Sequence, residues 1–267
     1  MNKALQFIQN LSLDITIGSV VMTLFVGEIL EVKVTLNMAF GLAIAIWLIY
    51  TADHLLDAYK SKGSVTNPRH AFHSKYFKFI ISIALLVFSL GLVNLTQLPE
   101  STIWIGGILA LISLVYLLYS YFSKKAINKE LFAAIVYAVG ICVAPLSLLD
   151  EIGIESISLM IILSLVAYGN LLIISVFEEK LDRNDKVKSV AIRKETSGTL
   201  KLIHVVLILA FISSVIMLIT NGLDHAYTLL IVMIAVLFLT IRYRSNFINQ
   251  YRLICDGIFL IPLIYLF

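Results

Sequence analysis

The sequence predicts an all-α integral membrane protein of nine transmembrane helices around a central cavity, with its N-terminus in the cytoplasm. Three observations predict it. The 267 residues are 60% hydrophobic and only 14% charged, with a mean hydropathy of +0.97, whereas soluble domains carry about 25% charge. Apolar stretches long enough to cross about 30 Å of hydrocarbon as helices recur nine times. When these stretches alternate in direction, every Lys and Arg except Lys33 falls on one side, the asymmetry that orients membrane proteins.

The spans are expected at roughly 5–27, 34–58, 77–97, 101–122, 130–149, 156–178, 200–220, 225–241 and 250–266. The first begins "MNKALQFIQNLSLDITIGSVV". Asp14 falls where a signal peptide would be apolar and no A-x-A-like site follows, so it is read as a span. Inner connections then hold Lys3, the loops Lys60–Lys78, Lys124–Lys129 and Lys180–Lys201, and Arg242–Arg252. Outer connections carry Glu28, Glu31, Glu100, Asp150, Glu151, Glu155 and Asp224. The pI of 8.7 and formal charge of +3 therefore reflect orientation in the bilayer, and no nucleic-acid partner is expected. Cys142 and Cys255 lie in apolar stretches without C-x-x-C spacing and are read as packing residues. With no Gly/Ser-rich linker, residues 1–267 form one domain. The inner loops at about 58–77 and 179–199 are the places for extramembrane structure.

The second span ends "WLIYTADHLLDAYKSKG", with Asp53 and Asp57 four residues apart. Four helical residues turn through about 400° and rise about 6 Å, which stacks both carboxylates on one face. Two close anions repel unless a cation or donors sit between them. The sixth span ends "NLLIISVFEEKLDRNDKVKSVAI", with Glu178 and Asp182 spaced the same way. Asp53 to Glu178 and Asp57 to Asp182 are both separations of 125 residues. One acidic pair at an inner span end has an ordinary explanation as an interfacial anchor. Two pairs in register indicate two same-sense helical repeats, roughly 1–125 and 126–245, plus a ninth helix. Such repeats place both pairs at one depth, where they face each other across a cavity. Opposed carboxylates with basic residues above suit a Mg²⁺-bound diphosphate, since Mg²⁺ takes a few carboxylates and completes its octahedron with phosphate oxygens and water.

These residues resemble the UbiA superfamily of intramembrane prenyltransferases, which includes the 4-hydroxybenzoate polyprenyltransferases. The family has nine transmembrane helices, an N-D-x-x-D-x-x-x-D motif after the second and a D-x-x-x-D motif after the sixth. Here "IYTADHLLD" (Ile49–Asp57) keeps the last two aspartates, and "EEKLD" supplies Glu178 and Asp182. "KSVAI" (Lys188–Ile192) is similar to a K-S-x-A-I ending, and "YFSKK" (Tyr121–Lys125) to Y-x-x-x-K, whose Tyr and Lys contact diphosphate. Ile49 and Tyr50 replace the leading Asn and Asp, Glu178 replaces an Asp, and "NPRHAFH" (Asn67–His73) stands where the family usually has Arg-Pro. The chain looks like a divergent member.

The resemblance implies a Mg²⁺-dependent transferase moving an isoprenyl group from an isoprenyl diphosphate to an aromatic or lipid-like acceptor, with release of diphosphate. Asp53, Asp57, Glu178 and Asp182 would hold the metal and serve as the catalytic set. Metal and cations would stabilise the departing diphosphate while the walls keep water from the allylic cation. Lys125 and Tyr121 would contact diphosphate, and Arg69, Lys188 and Arg193 would cap it or simply set topology. Asn170, two turns before Glu178, would orient the donor or pack helices. Asp14 and Asp256, inside spans, would orient or deprotonate an acceptor, or pair with a buried base such as His204. His54 is expected to face a loop or support the metal ligands. His70 and His73 lack partners with zinc spacing. The alternatives are a UbiA-type terpene cyclase acting on the diphosphate alone, and a transporter or scaffold. Membrane lipids are expected partners, and a bacterial inner membrane, with the site near its cytoplasmic face, is the expected location.

Overall fold

Hydropathy marks where a chain can cross a bilayer, and the structure departs from the sequence expectation chiefly at helix ends. It is a computed structural model and describes residues 3–60, 68–122, 128–185, 189–221 and 224–266. Among them the secondary structure is entirely helical. The helices are α1 Lys3–Asn10, α2 Leu13–Ile29, α3 Leu36–Lys60, α4 Pro68–Lys75, α5 Phe77–Leu95 and α6 Glu100–Phe122. There follow α7 Lys129–Leu146, α8 Ile154–Asn184, α9 Val190–Thr220, α10 His225–Arg242, α11 Tyr251–Gly257, a 3₁₀ turn Ile258–Leu260, and α12 Leu263–Leu266. Seven of these (α3 and α5–α10) are long and apolar enough to cross a membrane. The chain is a multi-pass integral membrane protein.

Three expectations need correction. The first span is broken, because Ser12 adopts a left-handed backbone (φ 55°) between α1 and α2. The Leu11 carbonyl exposed by that break accepts a hydrogen bond from the Trp47 indole at 3.0 Å, as a buried carbonyl requires. The last span is broken too. Pro262 cannot donate a backbone N–H, and the chain tightens into the 3₁₀ turn just before it. The expected loop at 179–199 is mostly helix, since α8 continues to Asn184 and α9 starts at Val190. Within α9, Glu195 (φ 58°, ψ 160°) marks a kink. The loop at 58–77 contains α4.

α7 and α8 are the most buried of the long helices, and α5 and α6 the least. Leu85, Leu86 and Phe88 on α5 and Leu111 and Leu114 on α6 are exposed, the surface a lipid-facing helix presents. The core runs between α2, α7, α8, α9 and α10 through Met22, Phe25, Ile141, Ile162, Leu172, Ile203 and Leu230. α8 and α9 approach closely at Gly169, where a Cβ would lie 2.7 Å from the Leu207 side chain and would force it to shift, the close packing that small residues allow between membrane helices. In α7, Pro145 leaves the Ile141 carbonyl without its helical donor. Thr23 of α2 supplies one through Oγ1 at 2.7 Å. Cys142 and Cys255 are free and buried.

Candidate active site

The C-terminal ends of α3 and α8 and the start of α7 meet α4 and α11 around one cavity of about 200 Å³. Helical periodicity selects what each contributes. Along α3 the lining residues are Tyr50, Asp53, His54 and Asp57, spaced three or four apart on one face. Along α8 they include Ala167, Asn170, Leu171, Ile174, Ser175, Glu178 and Asp182. From Asn170 to Asp182 that face climbs about 18 Å at 1.5 Å per residue. Lys129, Glu130 and Tyr137 enter from α7, Arg69 from α4, and Arg252, Asp256 and Phe259 from the last helical stretch.

All four expected metal ligands line this cavity, and so do Asn170 and Arg69. Lys125 and Lys188 lie outside the described residues. Tyr121 belongs to the last turn of α6, and its side chain also lies outside the described residues. Arg193 is not in the lining. It pairs with Glu130 Oε2 at 3.3 Å and reaches Asn128 Oδ1 at 3.4 Å, so it orders the start of α9 instead of facing the cavity. Glu130 completes that clamp by accepting the Val190 backbone N–H at 2.7 Å.

Glu178 is 7% exposed and is held from α11. Its Oε1 accepts the Tyr251 hydroxyl at 2.7 Å and pairs with Arg252. Both contacts fall on one oxygen, which leaves Oε2 for a further partner. Lys129 sits among the acids of both pairs, within electrostatic range of Asp53, Asp57 and Asp182. His54 faces the inner connection between α3 and α5, where α4 covers it. It is buried, its Nε2 lies 3.4 Å from Arg69 Nη1, and its ring packs 5.0 Å from that of His73. His73 in turn contacts the Arg69 carbonyl through Nδ1 at 2.9 Å, which fixes the turn that presents Arg69. Burial and the nearby Arg252 both pull the Arg69 guanidinium below its usual pKa, opposed by Asp256, Asp14 and Glu178.

His204 is not a partner of Asp14 or Asp256. Its Nδ1 contacts the Leu200 carbonyl at 2.6 Å and its ring meets Phe238 edge-on. Asp256, by contrast, lines the cavity within range of Asp14, Arg69, Arg252 and Glu178.

The sequence reading missed Lys129, Arg252 and Tyr251. Lys129 was counted as an inner-loop lysine, although Asn128 before it caps α7 by accepting the Leu131 N–H and so places Lys129 at a helix start. Arg252 and Asp256 form an Arg/Asp pair four residues apart in an apolar stretch, a visible signal.

The acids suit Mg²⁺ in type, being hard oxygen donors. Among the described residues no three His, Cys, Asp or Glu side chains are gathered closely enough to cage a metal by themselves.

Fold and site together define a helical membrane protein with a cavity that is acidic and basic at one end. Solved structures give the fold a name. Over 92% of this chain and 94% of the other, it matches the apo structure of a UbiA homolog from Aeropyrum pernix K1, with a TM-score of 0.69 at 15% identity. Over 94% and 92% it matches a digeranylgeranylglyceryl phosphate synthase, with a TM-score of 0.60 at 16% identity. The chain has the UbiA fold. No protein-family model and no curated protein matches it.

Proposed function

We propose that this chain is a Mg²⁺-dependent intramembrane prenyltransferase, moving an isoprenyl group from an isoprenyl diphosphate to an aromatic or lipid-like acceptor and releasing diphosphate. One observation carries the proposal. Two acidic pairs set 125 residues apart in the sequence line a single cavity together with Lys129, Arg69 and Arg252. The fold supports it, since one structural relative carries the geranylgeranyl group in its name.

Asp53, Asp57, Glu178 and Asp182 would hold Mg²⁺, which when bound supplies Lewis-acid neutralisation of the departing diphosphate. Lys129, with Lys125, Lys188 and Tyr121, binds the phosphate oxygens that the metal leaves. Arg69 and Arg252 add positive charge where the diphosphate accumulates negative charge. The apolar residues Ile15, Leu171, Ile174 and Phe259 on the cavity wall exclude water from the allylic cation. In the full topology α2 and the stretch from α11 to α12 complete nine crossings with the N-terminus cytoplasmic. The chain is then two same-sense repeats and a final helix in a bacterial inner membrane, with the cavity mouth near the cytoplasmic face. A cyclase needs an apolar pocket around its folding hydrocarbon. Asn170 and Asp256 in the cavity wall favour a transferase with a polar acceptor.

The test is release of diphosphate from geranyl, farnesyl and geranylgeranyl diphosphates by the purified protein, with Mg²⁺ and with EDTA, beside Asp53→Asn and Asp182→Asn. Release that EDTA and both variants abolish supports the reading. Absence of both release and donor binding removes it and leaves a transporter or scaffold.

A further inference from the structure

Two turns before Glu178 along α8, the cavity has a second polar group, completed by residues from α2 and α11. Asp256 on α11 is 5% exposed, and its Oδ2 has no hydrogen-bond partner among the described residues. Asp14 on α2 lies within electrostatic range of it, and its Oδ2 is also buried without a partner. Asn170 on α8 is 4% exposed with Oδ1 unmet. Buried polar atoms are almost always satisfied, and an unpartnered carboxylate oxygen costs more than a neutral group. Two such atoms in the cavity lining, on Asp256 and Asn170, mark a place where a ligand completes the bonding, while Asp14 lies outside the lining. Both accept hydrogen bonds, and the Tyr137 hydroxyl in the same lining is also unmet and can donate one, so a group that both donates and accepts fits.

The charges narrow the ligand further. Asp14, Asp256 and Glu178 face two guanidiniums, those of Arg69 and Arg252. Arg252 is paired with Glu178, so Asp14 and Asp256 face Arg69 with an excess of negative charge, which disfavours a further anion beside Asp256. Because the guanidiniums are already present, a second metal ion is not needed either. A neutral hydroxyl meets both conditions, and a proton passed from it to Asp256 brings the group to two anions and two cations.

Resting on the transferase reading above, we infer that Asp256, assisted by Asp14, binds the hydroxyl of a neutral alcohol or phenol acceptor and takes its proton. The C–O bond of the isoprenyl diphosphate breaks, and its electron pair leaves with diphosphate. A lone pair of the hydroxyl oxygen forms the new C–O bond to the allylic carbon. The hydroxyl proton moves to Asp256 Oδ2 and then to water. The products are a prenyl ether, diphosphate and one proton. Phe259, three residues after Asp256 and also in the lining, holds the apolar body of the acceptor.

The test supplies geranylgeranyl diphosphate to the purified full chain with phenol, and separately with anisole, which has the same ring without the O–H. The expected result is geranylgeranyl phenyl ether from phenol and no acceptor product from anisole. In Asp256→Asn the ether formed per diphosphate released falls about 10²-fold, the scale of a lost general base, while the donor still binds. Asp256→Glu retains ether formation, which covers the case in which the Asn variant fails to fold. Prenylation of the ring carbon alone, capture by water alone despite phenol, or unchanged ether yield in Asp256→Asn would each overturn the assignment. No diphosphate release by the wild type is a different failure. It removes the transferase reading and this inference with it.

Discussion

Arg252 on α11 is ion-paired with Glu178 on α8, and the same carboxylate oxygen accepts the hydroxyl of Tyr251 at 2.7 Å. The last helix therefore fastens to the second acidic pair through two consecutive residues, backed by the Phe177 and Tyr251 rings stacked at 4.7 Å. Removing one member of a buried pair leaves an uncompensated charge and costs about 3–5 kcal/mol, whereas replacing both with apolar residues is often neutral. Arg252→Met is expected to lower the melting temperature sharply. Arg252→Met with Glu178→Met is expected to restore much of it while diphosphate release stays low. Thermal unfolding in detergent and a release assay check both, and a double variant no more stable than the single would refute the fastening role.

Lys129 lies among carboxylates of both pairs, and no other described lysine lines the cavity. Loss of a charge-assisted hydrogen bond to phosphate costs about 1.5–3 kcal/mol, or roughly 10- to 100-fold in affinity. Lys129→Met is expected to weaken donor binding by that factor with Mg²⁺ present. Titration of a non-hydrolysable isoprenyl diphosphate analogue measures it. Unchanged affinity would reduce Lys129 to neutralising its acidic neighbours.

The acidic pairs were legible in the sequence because four-residue spacing is local information and the helix converts it directly into a shared face. That Asp53 and Asp182 line one cavity was an inference from the 125-residue register, and the structure places both in its wall. What the sequence hid depends on tertiary approach. Lys129 and Arg252 reach the acids only because α7 and α11 pack beside α3 and α8. The break at Ser12 is hidden as well, because the apolar residues of the amphipathic α1 lead into the apolar α2 while the backbone reverses sign at one residue. The helical stretches 179–184 and 190–199 are polar, and a hydropathy scan reads a polar helix as loop. Pro262 did signal the break in the last helix, but the apolar run around it outweighed that signal.

Arg193 separates topology from catalysis. It is spent on Glu130 and Asn128 and stands outside the cavity lining. Its partner Glu130 is buried, so removing the guanidinium leaves an uncompensated carboxylate, at a cost of about 3–5 kcal/mol. Arg193→Gln is expected to lower the melting temperature and to leave donor affinity unchanged. A binding titration beside Lys129→Met checks this, and a comparable loss of affinity in both variants would return Arg193 to the phosphate site.

The Thr23–Ile141 contact gives a prediction that is independent of any substrate. Pro145 removes the N–H that would have served the Ile141 carbonyl, and Thr23 Oγ1 replaces it from α2. Thr23 is fully buried, and so is Ile141. Thr23→Val keeps the shape but leaves the carbonyl unmet, at a cost of about 1–3 kcal/mol. Thr23→Ser keeps the donor and is expected to lose less. In the Thr23→Val background, Pro145→Ala returns an N–H four residues after Ile141, which can close the ordinary helical bond. That second change is expected to recover stability in the double variant, although the isolated substitution gains little because Thr23 already serves the carbonyl. A thermal-unfolding cycle over the four proteins measures the coupling. Additive effects would mean that α2 and α7 are joined here by packing alone.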